Sequence, residues 1–283
     1  MPMYQYFETS PLSGAIGAQV TGLDLSEPLN DAVWAELHQA FIEHLVLAIP
    51  GQNISPADQV TLGRRFGNPM VHPFRPSLPG VPEIIPIIKE VDQERNVGGT
   101  WHTDLTSLEE PPLGTLLFAR EVPSAGGDTM FSNGYAAYEN LSAGLRASLE
   151  SLRAVHSAER AHGPQATKGE GAFREAISKD AAVTAEVEQP VVRTHPKSGR
   201  KLLFVNPVFT LRFADWTTEE SRPLLDYLYA HMVRPEFVCR VQWQPGTLVI
   251  WDNRCTQHYA LNDYHGERRE MHRLMVEGDR PYL

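Results

Sequence analysis

A histidine and an aspartate that could bind a metal ion are separated by a single residue in this sequence, at His102 and Asp104. On an extended chain, side chains two residues apart point to the same face, so both groups could reach one ion. One imidazole and one carboxylate make only half of a metal site. An isolated pair of this kind is more often a histidine hydrogen-bonded to a carboxylate, so a third ligand from a distant part of the chain is needed.

His258 is the candidate for this third ligand because it follows the apolar segment Leu248 to Trp251, which has the composition of a buried strand. With His102 and Asp104 it would form a triad of two histidines and one carboxylate. Such a triad leaves coordination positions open, which Fe(II) oxygenases need for a co-substrate and O2. A structural zinc site would instead close its shell with cysteines or a fourth protein ligand. The pattern therefore favours a non-haem iron centre.

Arg269 lies eleven residues after His258 and could bind the co-substrate of such an oxygenase. 2-Oxoglutarate chelates iron through its keto acid end and leaves a second carboxylate pointing away from the metal. A guanidinium group matches this carboxylate with two parallel hydrogen bonds, and Thr129 could donate its hydroxyl proton to the same group. In isolation Arg269 would be interpreted as a surface arginine, but the triad makes a 2-oxoglutarate site the better interpretation.

Short strands are expected to position these residues, because strand candidates separated by turn signals dominate the sequence from residue 112 onward. The candidates are Leu113 to Ala119, Thr129 to Ser132, Val191 to Thr194, Leu202 to Asn206, Phe237 to Trp243, Thr247 to Trp251 and Met271 to Glu277. Helices are expected to begin at the caps Asn30, Ser55, Ser142 and Thr217. This pattern predicts a mainly β fold with flanking helices, a double-stranded β-helix or cupin-like jelly roll. A Rossmann fold is disfavoured because no strand precedes a glycine-rich phosphate loop.

The length and composition favour one domain covering residues 1–283, although length alone also permits two domains. The chain has 283 residues and is 42% hydrophobic, which is enough for one core in a mainly β fold. The polar segment 157–190 is predicted to be a lid-like insertion in that domain. The formal net charge is −10 and no run of lysine and arginine reaches five residues, so neither nucleic acid nor a membrane is expected as a partner. A small anion can still bind where a few arginines face a pocket.

The cysteine content and the N-terminal sequence favour a cytoplasmic protein. The two cysteines, Cys239 and Cys255, do not make a disulfide framework, and no secretory leader is evident. Cys255 lies three residues before His258, but a buried apolar cysteine is commoner than a cysteine ligand. His195 precedes Pro196 in a turn, and we expect its side chain to be exposed.

Short motifs spread over nearly the whole chain resemble one known family. They are Ile16 to Gly22, Trp101 to Asp104, Gly126 to Thr129, Val192 to Pro196, Trp251 to Arg254, Thr256 to Ala260, Arg268 to Arg269 and Met271 to Arg273. In combination they resemble the taurine dioxygenase family, which also includes the 2,4-dichlorophenoxyacetate dioxygenases. The resemblance implies that His102, Asp104 and His258 hold iron, and that Thr129 and Arg269 hold the distal carboxylate of 2-oxoglutarate.

The same resemblance implies a substrate site with several departures from the family pattern. Arg273 and His72 match positions that bind or surround the sulfonate group in taurine dioxygenase, and Phe209 matches an aromatic of the pocket wall. Arg75 stands where taurine dioxygenase has a tyrosine, and Gly98 stands near a substrate-binding asparagine. These departures leave the iron and co-substrate motifs intact, and an added cation at Arg75 suits a second acidic group better than an ammonium.

The sequence therefore predicts an Fe(II)- and 2-oxoglutarate-dependent dioxygenase that uses O2 to hydroxylate a small anionic organic substrate. A sulfonate such as taurine is the leading expectation, with release of sulfite and an aldehyde. The alternatives are the same chemistry on an alkyl sulfate or an aryloxyalkanoate, a metal-dependent hydrolase in which zinc activates water, and a non-catalytic cupin-like binding protein.

The resemblance has two further implications. The segment Ala158 to His162 lacks the pocket phenylalanine of the family. The resemblance also implies a homo-oligomer, either a dimer or a tetramer.

Overall fold

The computed structural model describes residues 4–162 and 181–283 of the chain. Its helices are α1 (Asp31–His44), α2 (Pro56–Phe66), α3 (Gly134–Glu139), α4 (Ala143–Glu150), α5 (Glu159–His162), α6 (Ala181–Thr184) and α7 (Thr218–Met232). Its strands are β1 (Glu8–Pro11), β2 (Ala18–Thr21), β3 (Val46–Ile49), β4 (Pro69–Met70), β5 (Ile84–Lys89), β6 (Gly114–Glu121), β7 (Thr129–Asn133), β8 (Arg153–Ser157), β9 (Glu186–Pro190), β10 (Val192–Thr194), β11 (Lys201–Leu203), β12 (Thr210–Phe213), β13 (Val238–Val241), β14 (Leu248–Asp252), β15 (Thr256–Ala260) and β16 (Arg269–Val276). Within these residues strands outnumber helices, as the sequence predicts.

The two N-terminal helices begin at the caps that the sequence indicates. The side chain of Asn30 accepts two backbone N–H groups at the start of α1. Ser55 and Asp58 form a capping box at the start of α2, with Pro56 at the first helical position. Both helices place apolar side chains against the larger sheet.

The larger sheet has eight strands in the order β1-β2-β3-β14-β6-β16-β4, with β5 also paired to β16. Its strand β14 is buried along its whole length because both faces of the sheet are covered. Leu248 and Ile250 pack on the helix side with Phe41 of α1, whereas Val249 and Trp251 belong to the cluster on the opposite face. This alternation follows from the two-residue repeat of a strand.

A smaller sheet with the order β13-β7-β15 covers that opposite face. Phe131 of β7 and Val241 of β13 belong to the same apolar cluster as Val249 and Trp251 of β14. The two sheets therefore enclose one core, and the prediction of a mainly β jelly roll is confirmed.

A third sheet with the order β12-β8-β9 lies against α7, where Phe213 packs with Leu225 and Leu228. Strand β9 falls within the segment 157–190 that was predicted to be a lid-like insertion. Residues 163–180 of that segment lie outside the described residues. The lid and the single-domain organisation therefore stay predictions.

Some strands differ from the predicted ones for local physical reasons. Strand β11 ends at Leu203, before the predicted end at Asn206, because the Asn206 side chain accepts the N–H groups of Val208 and Phe209 and starts a turn. The sequence places His258 at the end of the strand candidate that begins near Leu248, whereas the structure has a separate strand there, β15, whose residues Thr256 to Ala260 are mostly polar.

Candidate metal centre and co-substrate pocket

A pair of backbone hydrogen bonds brings the two candidate histidines together. The N–H group of His102 donates to the carbonyl of His258 over 3.0 Å, and the N–H group of His258 donates to the carbonyl of His102 over 2.8 Å. These bonds form an antiparallel bridge between the residue-102 segment and β15. As a result, the centroids of the two imidazole rings lie 4.1 Å apart.

Asp104 places its carboxylate between the two rings. Its Oδ1 atom lies 3.6 Å from His102 Nε2 and 3.8 Å from His258 Nε2, and one ligand atom from each residue lies within 4.8 Å of the others. The Nδ1 atom of His102 lies 2.7 Å from the carbonyl oxygen of Thr100. Because a carbonyl can only accept, Nδ1 carries the proton and Nε2 is left to bind an ion. The structure thus assembles the predicted triad.

Asn253 and Thr115 hold Asp104 in this position. The Oδ1 atom of Asn253 accepts the N–H group of Asp104 over 2.8 Å, and its Nδ2 atom donates to the Asp104 carbonyl over 3.0 Å. The Thr115 hydroxyl donates to Asp104 Oδ2 over 3.1 Å. Sequence reasoning assigned a role to neither residue. Asn253 could have been found from its motif directly after β14, whereas Thr115 carries no signal.

The charges of the triad suit a divalent cation. Burial by itself raises the pKa of Asp104, but Arg273 and the two neighbouring histidines outweigh it and hold this pKa well below its usual range. Burial and the proximity of His102 lower the pKa of His258 to about 3. At neutral pH the site therefore offers an ionised carboxylate and, at His258, a neutral imidazole, which is the donor set that Fe(II) takes in oxygenases.

Arg269 is a buried cation with unused hydrogen-bonding capacity. Its side chain is about 6% exposed, and within the described part of the chain its Nε and Nη2 atoms have no hydrogen-bond partner. An unpaired buried guanidinium group is costly, so this arrangement indicates that an anion belongs beside it. Thr129 lines the same cavity as Arg269. A carboxylate group, such as the distal one of 2-oxoglutarate, fits these donors.

One cavity of about 260 Å³ is lined by all the site residues that the sequence analysis singles out. They are His72, Arg75, Gly98, His102, Asp104, Thr129, Phe209, His258, Arg269 and Arg273. The cavity is also lined by three residues of the segment Ala158 to His162, namely Arg160, Ala161 and His162. The sequence analysis does not include these three among the site residues. Their departure from the family pattern was the signal that could have found them.

The substrate side of the cavity is rich in cationic and neutral donor groups. The Nη1 atom of Arg273 lies 3.2 Å from Asp104 Oδ1. The Nδ1 atom of His72 accepts the N–H group of Phe74 over 3.0 Å, so the proton of the neutral ring is on Nε2. Burial, together with the charges of Arg273 and Arg75, lowers the pKa of His72 to about 2. His72 is therefore a neutral donor beside two guanidinium groups.

Apolar groups and open space form the rest of the substrate side. Leu105, Phe209 and Val208 line the cavity and belong to one apolar cluster. Gly98 has a positive φ of 85°, and a Cβ atom there would lie 3.4 Å from Cε1 of His102. Because Gly98 has no side chain, it leaves open space in the cavity at this position.

A second cluster of possible ligands, His195, Asp252 and Cys255, is fully buried. The expectation that His195 is exposed is wrong, because its Nε2 atom bonds to Asp252 over 3.0 Å in the interior. Both carboxylate oxygens of Asp252 are bound by Arg254, so an ion would have to displace this ion pair. Cys255 is buried, as predicted, and the cluster stabilises the end of β14.

Comparisons with known proteins agree with this geometry. Residues 8–275 match the profile described as "Taurine catabolism dioxygenase TauD, TfdA family". The chain belongs to this family. It is similar to an alkylsulfatase of Acinetobacter baylyi, at 36% identity over 97% of this chain and 86% of the relative. It is also similar to an alpha-ketoglutarate-dependent sulfate ester dioxygenase of Pseudomonas putida, at 33% identity over 97% of this chain and 90% of the relative.

The fold comparison points to the same family. The crystal structure of a taurine dioxygenase from Burkholderia xenovorans superposes with a TM-score of 0.81, at 32% identity over 98% of this chain and 93% of that chain. This family member is accordingly a 2-oxoglutarate-dependent non-haem iron dioxygenase with Fe(II), 2-oxoglutarate and O2 as its cofactor and co-substrates. The comparisons favour this reaction over the hydrolase and the non-catalytic binding protein.

Among the described residues, every helix is too short or too polar to cross a membrane.

Proposed function

We propose that this dioxygenase hydroxylates a small organic sulfate or sulfonate with an apolar organic part, and that an alkyl sulfate ester is the preferred substrate. The observation that carries the proposal is the charge balance of the cavity. Arg75, Arg160, Arg269 and Arg273 line it, whereas Asp104 is the one carboxylate among its described lining residues. Asp104 is reserved for the metal in this proposal.

This charge balance separates the candidate substrates. Taurine, the leading expectation from the sequence, carries an ammonium group, which requires an acceptor when it is buried. An alkyl sulfate carries one anionic group and an apolar chain, which suit Arg273 and the apolar residues Leu105, Val208 and Phe209. The names of the alkylsulfatase and the sulfate ester dioxygenase among the relatives support the same choice.

The residues at the metal and co-substrate end of the cavity have proposed roles. His102, Asp104 and His258 would hold Fe(II), because their Nε2 and Oδ1 atoms converge and their charges suit a divalent ion. Thr129 and Arg269 would hold the distal carboxylate of 2-oxoglutarate through hydrogen bonds from neutral and charged donors. When bound, iron and 2-oxoglutarate supply the oxidising power that inserts one atom of O2 into a substrate C–H bond and leaves succinate and CO2.

The substrate residues would orient the bond that is attacked. Arg273 would pair with the anionic head, while the neutral His72 would donate its Nε2 proton to it. Phe209 would pack against the organic part and keep water away from it. Gly98 would leave room for substrate beside His102. Hydroxylation of the carbon that bears the ester oxygen then yields an unstable product, which releases inorganic sulfate and an aldehyde.

A substrate panel tests this proposal. Hexyl sulfate, hexane-1-sulfonate, taurine and phenoxyacetate should be compared with Fe(II), 2-oxoglutarate and O2, with succinate and aldehyde as the measured products. We expect the kcat/KM of hexyl sulfate to exceed that of taurine by more than about tenfold, because a buried charge without a partner is costly. A higher kcat/KM for taurine or phenoxyacetate would contradict the choice of substrate.

Three further predictions concern the whole protein. We propose, first, that it is a homo-oligomer, either a dimer or a tetramer. We also propose that it is cytoplasmic and that neither nucleic acid nor a membrane is its partner. Light scattering of the purified protein during size-exclusion chromatography tests the first, and a monomeric mass at micromolar concentration would contradict it.

A further inference from the structure

Trp243 lies beside both residues that are proposed to bind the distal carboxylate of 2-oxoglutarate. It is buried in the segment between β13 and β14 and packs in the apolar core between the two sheets. Its indole Nε1–H donates a hydrogen bond to the Oγ1 atom of Thr129 over 3.0 Å. The guanidinium carbon of Arg269 lies 5.7 Å from the centroid of the Trp243 ring.

The bond to Thr129 determines how its hydroxyl can be used. An indole N–H group can only donate, so Oγ1 of Thr129 must accept. Within the described part of the chain, the hydroxyl proton of Thr129 then has no acceptor of its own. This proton remains available for an anionic ligand, and the fixed lone pair restricts the directions in which the proton can point.

The contact with Arg269 acts on the second donor. A guanidinium group over the face of an aromatic ring is attracted by the ring quadrupole, most strongly when both are shielded from water. Arg269 and Trp243 are both buried, and the Nε and Nη2 atoms of Arg269 have no partner among the described residues. The ring therefore supports the guanidinium group without using the donors that an anion would need.

We propose that Trp243 is a positioning residue that orients Thr129 through its N–H group and Arg269 through its ring face, and so sets the affinity for the distal carboxylate of 2-oxoglutarate. This inference rests on the proposed roles of Thr129 and Arg269. A purely structural role in the core is the competing explanation, because Trp243 also packs against apolar neighbours. The two explanations differ in whether the effect of a substitution depends on the distal carboxylate.

Two keto acids separate these explanations. 2-Oxopentanoate has the keto acid end of 2-oxoglutarate but carries a methyl group where the distal carboxylate would be. Binding of either compound to the Fe(II)-loaded protein is measured without O2, through the visible charge-transfer band of the complex. Trp243→Phe removes the N–H group and keeps an aromatic face, whereas Trp243→Leu removes both. Thermal unfolding of each variant reports separately on the fold.

Trp243→Phe should weaken 2-oxoglutarate roughly fivefold to tenfold, the size of one oriented hydrogen bond, and should leave the affinity for 2-oxopentanoate unchanged. In the Thr129→Val background the same substitution should have almost no further effect on 2-oxoglutarate, because the bond it removes is already absent. Trp243→Leu should weaken 2-oxoglutarate more than Trp243→Phe does, and this additional loss should persist in the Thr129→Val background, since it acts through Arg269.

Three results would overturn the inference about Trp243. They are an equal loss of affinity for both keto acids, an unchanged affinity for 2-oxoglutarate in Trp243→Phe, and an undiminished effect of Trp243→Phe in the Thr129→Val background. Thr129→Val by itself tests the proposed carboxylate site. If it leaves the affinity for 2-oxoglutarate unchanged, the role of Thr129 fails; if it weakens binding while Trp243→Phe does not, only the role of Trp243 fails.

Discussion

The metal and co-substrate end of the cavity and its substrate end are built on different kinds of structure. At the first end, Thr129 and His258 lie on the paired strands β7 and β15, and Arg269 lies on β16 of the larger sheet. His102 forms backbone hydrogen bonds with His258 of β15. At the second end, the residue ranges 72–75, 97–100 and 207–209 lie outside the helices and strands. There are two exceptions, since Arg273 lies on β16 with Arg269 and Asp104 lies in a turn, where Asn253 and Thr115 hold it.

This difference explains how one chemistry can serve several substrates. Strand pairing fixes the backbone of Thr129, His258 and Arg269, so the atoms of these side chains stay at a nearly constant spacing. Connecting segments tolerate substitution because fewer backbone bonds depend on them. The departures from the family pattern at Arg75 and Gly98 fall in such segments, whereas the metal ligands match it. We therefore expect substitutions at the two ends to change different measured quantities.

The largest effect is expected at a proposed metal ligand. His258→Ala should lower the affinity for Fe(II) by more than about 100-fold, which is the upper end of the loss seen when only an outer partner of a ligand is removed. Anaerobic metal titration measures it. His265→Ala is a matched control, because His265 is exposed and lies outside the cavity. Equal affinities of the two variants would show that the triad is misassigned.

A smaller effect on the same end is expected at Asn253. Asn253→Ala removes both hydrogen bonds to the backbone of Asp104, so the carboxylate is held less firmly. We expect Fe(II) affinity to fall about 10- to 100-fold, with the substrate preference unchanged. Asn140→Ala, at an exposed helix end, is the control. If Fe(II) affinity is normal and the order of substrate preference changes, Asn253 acts on substrate binding and not on the metal site.

At the substrate end, Arg75→Tyr should change selectivity and not co-substrate binding. Removal of a guanidinium group from the cavity should raise the kcat/KM of taurine relative to hexyl sulfate, by up to about tenfold for one interaction of roughly 1.4 kcal/mol. The affinity for 2-oxoglutarate should stay the same. Parallel succinate assays with both substrates give the ratio, and an unchanged ratio would remove Arg75 from the list of specificity residues.

The smallest effect on catalysis is expected at His156, which joins the two ends. Its ring lies between the hydroxyl groups of Thr106, after the metal ligand Asp104, and Thr210, after Phe209. Burial lowers the pKa of His156 to about 3. Between about pH 6.5 and pH 3 the unfolded chain therefore binds a proton that the folded chain does not, so the free energy of unfolding falls as the pH falls.

His156→Gln should remove this proton uptake. The free energy of unfolding of the parent protein should contain a term from His156 of up to about 1.4 kcal/mol per pH unit in that range, and the variant should lack it. Denaturant unfolding at several pH values measures the slope, with His265→Gln as the exposed control. Identical slopes for His156→Gln and the parent protein would mean that His156 titrates normally in the folded state.

The metal and co-substrate residues could be predicted because their chemistry is encoded in residue type and short spacing. His102, Asp104, His258 and Arg269 were singled out from such features, and all of them line one cavity. Thr115 and Trp243 could not be found in this way. A threonine in a strand and a tryptophan near the end of one are ordinary strand or core residues, and only the folded chain brings one to Asp104 and the other to Thr129.

The amino-acid sequence by itself determined the reaction class and the mainly β fold and supplied the candidates for the metal ligands, because strand patterns and short motifs are local properties. The tertiary structure decided which strand carries His258, that His195 is buried on Asp252, and that the described lining of the cavity has four arginines and one carboxylate. These facts depend on pairings between residues that are distant in sequence. Local patterns do not encode such pairings, since they arise only when the two sheets close around one core.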